Sequence, residues 1–95
     1  MRILYVEDDP TAREYLQKGL REHGYRVDVE ADGDAGFARA REAGYDLLLL
    51  DVTLPERDGF ELLRALREAG GATPALFLSA RGEVADRIRG LDLGA

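Results

Sequence analysis

Residues Leu47-Leu48-Leu49-Leu50 are apolar at odd and even positions alike, and the run ends abruptly on a charge, Asp51. A strand with one wet face alternates apolar and polar residues, whereas a strand apolar on both parities is covered on both faces. Covering both faces requires helices above and below. The run therefore predicts the central strand of a parallel sheet in an α/β domain.

The flanking segments agree with this reading. Ile3-Leu4-Tyr5-Val6 is a second short apolar run, broken by Glu7-Asp8-Asp9-Pro10. Proline suits the first position of a helix, where its missing N–H is no loss. Ala12, Tyr15, Leu16 and Leu20 then recur at helical spacing, up to Gly24. Val27 and Val29 alternate with Arg26, Asp28 and Glu30, which predicts a strand with one polar face near a sheet edge. Ala31-Asp32-Gly33-Asp34 is a turn with N-cap residues, and Ala35, Phe37, Ala38 and Ala43 mark the apolar row of a second helix. Arg39 and Arg41 point outward from it, and Gly44 closes it. After Asp51, a loop from Val52 to Gly59 carries Pro55 and Asp58-Gly59, and Phe60, Leu62, Leu63 and Leu66 build a third helix that closes around Gly70-Gly71. Pro74 opens a fourth strand, Ala75-Leu76-Phe77-Leu78, ending at Ser79. Val84, Ile88 and Leu91 then place a fourth helix that ends near Gly94. Strict strand–helix alternation implies parallel strands joined by right-handed crossovers.

The 95 residues suffice for one small domain, and a composition 45% hydrophobic and 34% charged is that of a globular chain. There are no cysteines, which excludes a disulfide scaffold and thiolate metal sites and fits a cytoplasmic location. No apolar stretch approaches the roughly 20 residues of a membrane span, and the first apolar run is too short for a signal peptide. The net charge of −6 makes the domain a poor direct partner for nucleic acid, so action at DNA requires another segment.

In parallel α/β sheets the functional groups gather at the carboxyl ends of the strands. Strand one ends at Glu7-Asp8-Asp9, strand three at Asp51 and strand four at Ser79. If strands one and three are neighbours, Glu7, Asp8 and Asp51 converge. Converging carboxylates repel unless a cation joins them, and Mg²⁺ takes oxygen ligands from carboxylates, a carbonyl and water. A carboxylate beside Mg²⁺ can act as nucleophile toward phosphorus and form an acyl phosphate. The Ser79 hydroxyl could then hydrogen-bond a phosphoryl oxygen, although it also fits as an N-cap. Asp9, beside Pro10, reads as a helix cap, Asp58-Gly59 as turn chemistry, and His23 as a favourable charge at a helix end.

Four segments resemble the receiver domains of two-component response regulators. They are Ile3 to Asp9, Leu49 to Leu63 with Asp51 at its heart, Pro74 to Arg81, and Gly90 to Ala95. The resemblance implies a flavodoxin-like, doubly wound parallel sheet of strand order 2-1-3-4. It implies that Asp51 accepts a phosphoryl group from a phosphohistidine of a sensor histidine kinase. Glu7 and Asp8 would help to hold Mg²⁺ together with Asp51 and the Thr53 backbone carbonyl. Ser79 would be the switch hydroxyl, and Ala80 the small neighbour that leaves the phosphoryl group accessible. The segments around Ser79 and Gly90 are most similar to regulators with a winged-helix DNA-binding domain, so DNA would be reached only through an effector domain.

The family continues into a fifth strand with a lysine before a proline, and a fifth helix. The resemblance therefore implies a single domain over 1–95 that is incomplete at its C-terminus. The only lysine, Lys18, falls in the first helix and cannot replace the family's cation. Three expectations follow: an apolar edge at strand 75–78 that favours self-association or a swapped or rearranged oligomer, first and third helices with reduced cover, and impaired phosphotransfer. The alternative is a receiver fragment without phosphotransfer that acts only through protein association. A haloacid dehalogenase-type phosphatase would need an acid two residues after Asp51, where Thr53 stands. A dinucleotide-binding module would need glycines where Glu7-Asp8-Asp9-Pro10 stands.

Overall fold

A computed structural model describes residues 1–42 and 44–78. Strand β1 (Arg2–Val6) leads to helix α1 (Pro10–Glu22), β2 (Arg26–Glu30), α2 (Gly33–Ala40), β3 (Leu47–Asp51), α3 (Gly59–Glu68) and β4 (Ala75–Leu78). The strands form one parallel sheet in the order β2-β1-β3-β4, as expected. The tetraleucine strand is central and the Val27/Val29 strand lies at an edge. Ala43, Ser79, Ala80 and the fourth helix expected around Val84, Ile88 and Leu91 lie outside the described residues.

The two parities of the central strands feed two separate cores. Leu4, Val6, Leu48 and Leu50 face α2 and α3, where they meet Ala40, Leu62, Leu63 and Leu66. Ile3, Tyr5 and Leu49 face the other way, with Val27 and the half-buried Leu16 and Leu20 of α1. Each fully buried Leu or Ile is worth about 1.5–3 kcal/mol of transfer free energy, so the central strands carry much of the stability. Across the first core, Phe60 and Phe77 pack with ring centroids 4.6 Å apart.

Two expectations about helix faces need correction. The spacing places Tyr15 in the apolar stripe of α1, but it is 84% exposed, and α1 buries no residue completely. Its stripe is narrower than the spacing suggests, consisting of Ala12, Leu16 and Leu20. Ala38 is exposed, and α2 instead buries Gly33, Gly36 and Ala40. A Cβ on Gly36 would lie 2.8 Å from Val6 Cγ2, so this glycine permits close approach of helix to strand. Helix α3, by contrast, buries Phe60, Leu62, Leu63 and Leu66. At β4, Leu76 is 53% exposed.

The helix ends follow local chemistry. Asp9, Asp32 and Asp58 cap α1, α2 and α3 through side-chain oxygens that accept the N–H groups of Thr11, Ala35 and Glu61. Gly24 and Gly70, at φ +87° and +90°, turn the chain after α1 and α3. His23 caps the end of α1, its Nδ1 2.8 Å from the Gly19 carbonyl.

Candidate metal centre

The register of the two central strands builds the site. Val6 is paired with Leu50, so the next residues, Glu7 and Asp51, emerge side by side at the carboxyl ends of β1 and β3. Asp8 follows, and one carboxylate oxygen from each of the three acids lies within 4.8 Å of the others. Asp8 is exposed, Asp51 is partly buried and Glu7 is the most enclosed. Asp9 is turned away, its Oδ1 accepting the Thr11 N–H at 3.1 Å, which is the capping role read from the sequence.

The electrostatics are those of a site short of positive charge. The Glu7 carboxyl is pushed up to about 8, first by burial and then by the adjacent Asp51 carboxyl, whereas the Asp9 N–H pulls it down. Below it, the buried Tyr5 hydroxyl is pushed up to about 12 by burial and by the negative charges of Glu7 and Asp51. Three acidic oxygens in this arrangement form the all-oxygen donor set preferred by hard divalent cations, so the residues present fit Mg²⁺.

The loop after Asp51 is held in a defined shape. The Thr53 N–H makes a long hydrogen bond to Asp51 Oδ1, at 3.4 Å. The Gly59 N–H donates to the Val52 carbonyl at 3.0 Å, and a Cβ on Gly59 would collide with the Asp51 carbonyl. The Asp58-Gly59 pair is thus more than a turn: Asp58 caps α3, and Gly59 lets that helix start directly against the acidic residue's backbone. Glu56 adopts φ 69°, a left-handed conformation that a side chain disfavours. The loop is also tied to α2. The Gly33 N–H donates to the Pro55 carbonyl, Arg57 pairs with Asp34 at 3.5 Å, and its guanidinium lies 4.6 Å from the Phe37 ring centroid.

One contact escaped the sequence reading. Arg13 reaches back from α1, and its Nη1 donates to the Glu7 carbonyl at 2.9 Å. No spacing rule announces a side-chain to backbone bond of this kind. Glu7, Asp8 and Asp51 come together as expected, and Thr53 lies in the adjoining turn. Ser79 and Ala80 fall outside the described residues.

Comparison with known proteins points the same way. The sequence matches the response regulator receiver domain family over residues 3–95. It is 48% identical over 94 residues to the transcriptional regulatory protein PcoR of Escherichia coli, covering 99% of this chain and 42% of that protein. It is 52% identical over 95 residues to the transcriptional activator protein IrlR of Burkholderia pseudomallei, covering 100% and 41%. The chain thus spans 42% or less of the length of these curated relatives. Among solved structures, the receiver domain of the Francisella response regulator 1452 superposes with a TM-score of 0.92 at 29% identity, covering 99% of this chain and 78% of that one. The receiver domain of the sensor histidine kinase PA1611 of Pseudomonas aeruginosa, solved with a magnesium ion coordinated in its active site cleft, gives 0.85 at 37% identity, covering 98% and 78%.

Proposed function

This chain belongs to the response regulator receiver domain family, and on that footing we propose that Asp51 is the phosphoacceptor of a two-component signalling protein. The observation that carries the proposal is the convergence of Glu7, Asp8 and Asp51 within 4.8 Å at the ends of the two central strands. Glu7, Asp8, Asp51 and the Thr53 carbonyl would hold Mg²⁺. The ion, when bound, neutralises the clustered carboxylates and the charge on the phosphoryl oxygens.

The work of the chain is to place a nucleophile. An Asp51 carboxylate oxygen attacks phosphorus of a sensor kinase's phosphohistidine. The O–P bond of an acyl phosphate forms as the P–N bond breaks, and the imidazole nitrogen leaves with its electron pair and takes up a proton. The Thr53 N–H and the Gly59 contact fix the backbone from which Asp51 projects, limiting the motion needed to reach an in-line approach. Ser79 would hydrogen-bond a phosphoryl oxygen, and Ala80 would leave access open. The switch would be a population shift between two states biased by that contact.

The same reading makes residues 1–95 one receiver domain of a cytoplasmic transcription regulator, with DNA contacted through an effector domain. Self-association through the β4 edge is part of the proposal, supported by the exposed Leu76.

The test is incubation with acetyl phosphate and Mg²⁺, read by intact-mass spectrometry. A single phosphoryl adduct, absent in Asp51→Asn and after chelation, is the expected result. An adduct persisting in Asp51→Asn would overturn the assignment. No adduct in a chain that still binds Mg²⁺ would instead favour the association-only alternative.

A further inference from the structure

The connection between β1 and α1 consists of Glu7, Asp8 and Asp9, and two of its three residues supply carboxylates to the acidic cluster. Such a connection must be bent so that like charges face one another. Repulsion among them works to open it, so something must hold it closed before any cation arrives.

Arg13 grips the connection at both ends. Its backbone N–H donates to the Asp9 carbonyl at 2.9 Å, and its Nη1 donates to the Glu7 carbonyl at 2.9 Å. Asp8 lies between these two anchored carbonyls. On the other side, the Glu7 N–H is tied to the Glu30 carbonyl of β2 at 3.0 Å. Among the described residues, the guanidinium contact is the one that crosses from the helix back to the strand end. That contact is partly buried, which shields it from competition by water.

The choice of residue is informative. The first turn of α1 contains no acid, and Arg13 follows directly on Pro10, Thr11 and Ala12. A cation near a helix N-terminus is opposed by the helix dipole. What it gains here is the contact with the Glu7 carbonyl, which fixes the backbone of the connection.

We propose that Arg13 is a positioning residue of the acidic cluster. It holds the Glu7–Asp9 connection in the bend that brings Glu7 and Asp8 to Asp51, and so sets the affinity for the divalent cation. The proposal rests on the reading of the cluster as a cation site.

The experiment measures Mg²⁺ affinity of the full chain by titration calorimetry, together with thermal stability without the ion and the Mg²⁺ dependence of phosphorylation by acetyl phosphate. The variants are Arg13→Met, Arg13→Lys, Arg13→Gln and the control Asp8→Asn. Groups that orient metal ligands typically change affinity by 10–100-fold, so Arg13→Met should weaken Mg²⁺ binding by about tenfold. Arg13→Lys keeps the charge and one reaching donor, and should recover most of that loss. Phosphorylation of Arg13→Met should slow at low Mg²⁺ and approach the parent rate at saturation, the signature of a lost affinity. Arg13→Met with a lower melting temperature but a Mg²⁺ dissociation constant within about twofold of the parent would make Arg13 merely structural and overturn the proposal. If Arg13→Met fails to fold, Arg13→Gln, whose shorter side chain loses the reach to the Glu7 carbonyl, decides, and a dissociation constant within about twofold of the parent would overturn the proposal. A parent chain that binds no Mg²⁺ would overturn both the cation-site reading and the proposal. Parent binding lost in Asp8→Asn but unchanged in Arg13→Met would leave the reading standing and remove the proposal alone.

Discussion

Glu7 is where the chemistry of the site can be read as stability. Its folded-state pKa lies above its ordinary value, so the folded chain favours the protonated form. The stability this confers is complete below about pH 4.5 and is lost as pH rises toward 8. Metal-free protein should therefore become less stable across that interval, by about 1 kcal/mol after allowance for solvent screening. Glu7→Gln should flatten the profile, raise the metal-free melting temperature near pH 7.5 and weaken Mg²⁺ binding. Melting curves between pH 5 and 8 in chelator check this, and a Glu7→Gln profile as steep as the parent's would contradict it. A second prediction concerns Glu56, held at φ 69° in the loop after Asp51. A left-handed conformation costs a side chain about 1–2 kcal/mol, and glycine's greater unfolded freedom returns part of that, so Glu56→Gly should stabilise by about 0.5–1 kcal/mol in denaturant titrations. The acids were legible in the sequence because each follows an apolar run, and the strand-end rule does not depend on distance along the chain. Arg13 and Glu56 were not legible. Their roles depend on backbone geometry that composition and spacing do not encode.

At the level of elements, the α3 start shows how closely helix and site are joined. Gly59 lies where any side chain would strike the Asp51 carbonyl. Gly59→Ala should push the helix away from β3 and destabilise the chain by about 1–3 kcal/mol, the range for overpacking. It should also slow acetyl phosphate labelling of Asp51 under conditions where the protein remains folded. Equilibrium unfolding with a parallel labelling assay tests both, and unchanged stability would show that the loop absorbs the methyl group. The elements themselves were legible. The parity of Leu47 to Leu50 forced a central strand, and the prolines and glycines marked most boundaries. Face assignment was weaker. Tyr15 and Ala38 both satisfy helical spacing yet stand exposed, because periodicity locates a stripe without fixing its width. Gly36 was invisible for the opposite reason: its contribution is an absent side chain.

For the whole molecule, cation binding and folding are linked. A ligand at about 100 times its dissociation constant stabilises by about 2.7 kcal/mol, and each kcal/mol moves the melting temperature of a domain this size by roughly 4–8 °C. Saturating Mg²⁺ should thus raise the melting temperature by about 10 °C or more, and the shift should vanish in Asp8→Asn. An equal shift in Asp8→Asn would place the ion elsewhere. The sheet also divides the interior into two compartments. Leu4, Val6, Leu48 and Leu50 belong to one, Ile3, Tyr5 and Leu49 to the other. Side chains on opposite faces do not share packing partners, so their substitutions should act independently. Ile3→Val combined with Leu62→Ala should destabilise by the sum of the single effects within about 0.5 kcal/mol. Such independence means that inherited changes on the α1 side need no compensating change beneath α2 and α3. One half of the interior can drift over generations while the other stays as it is.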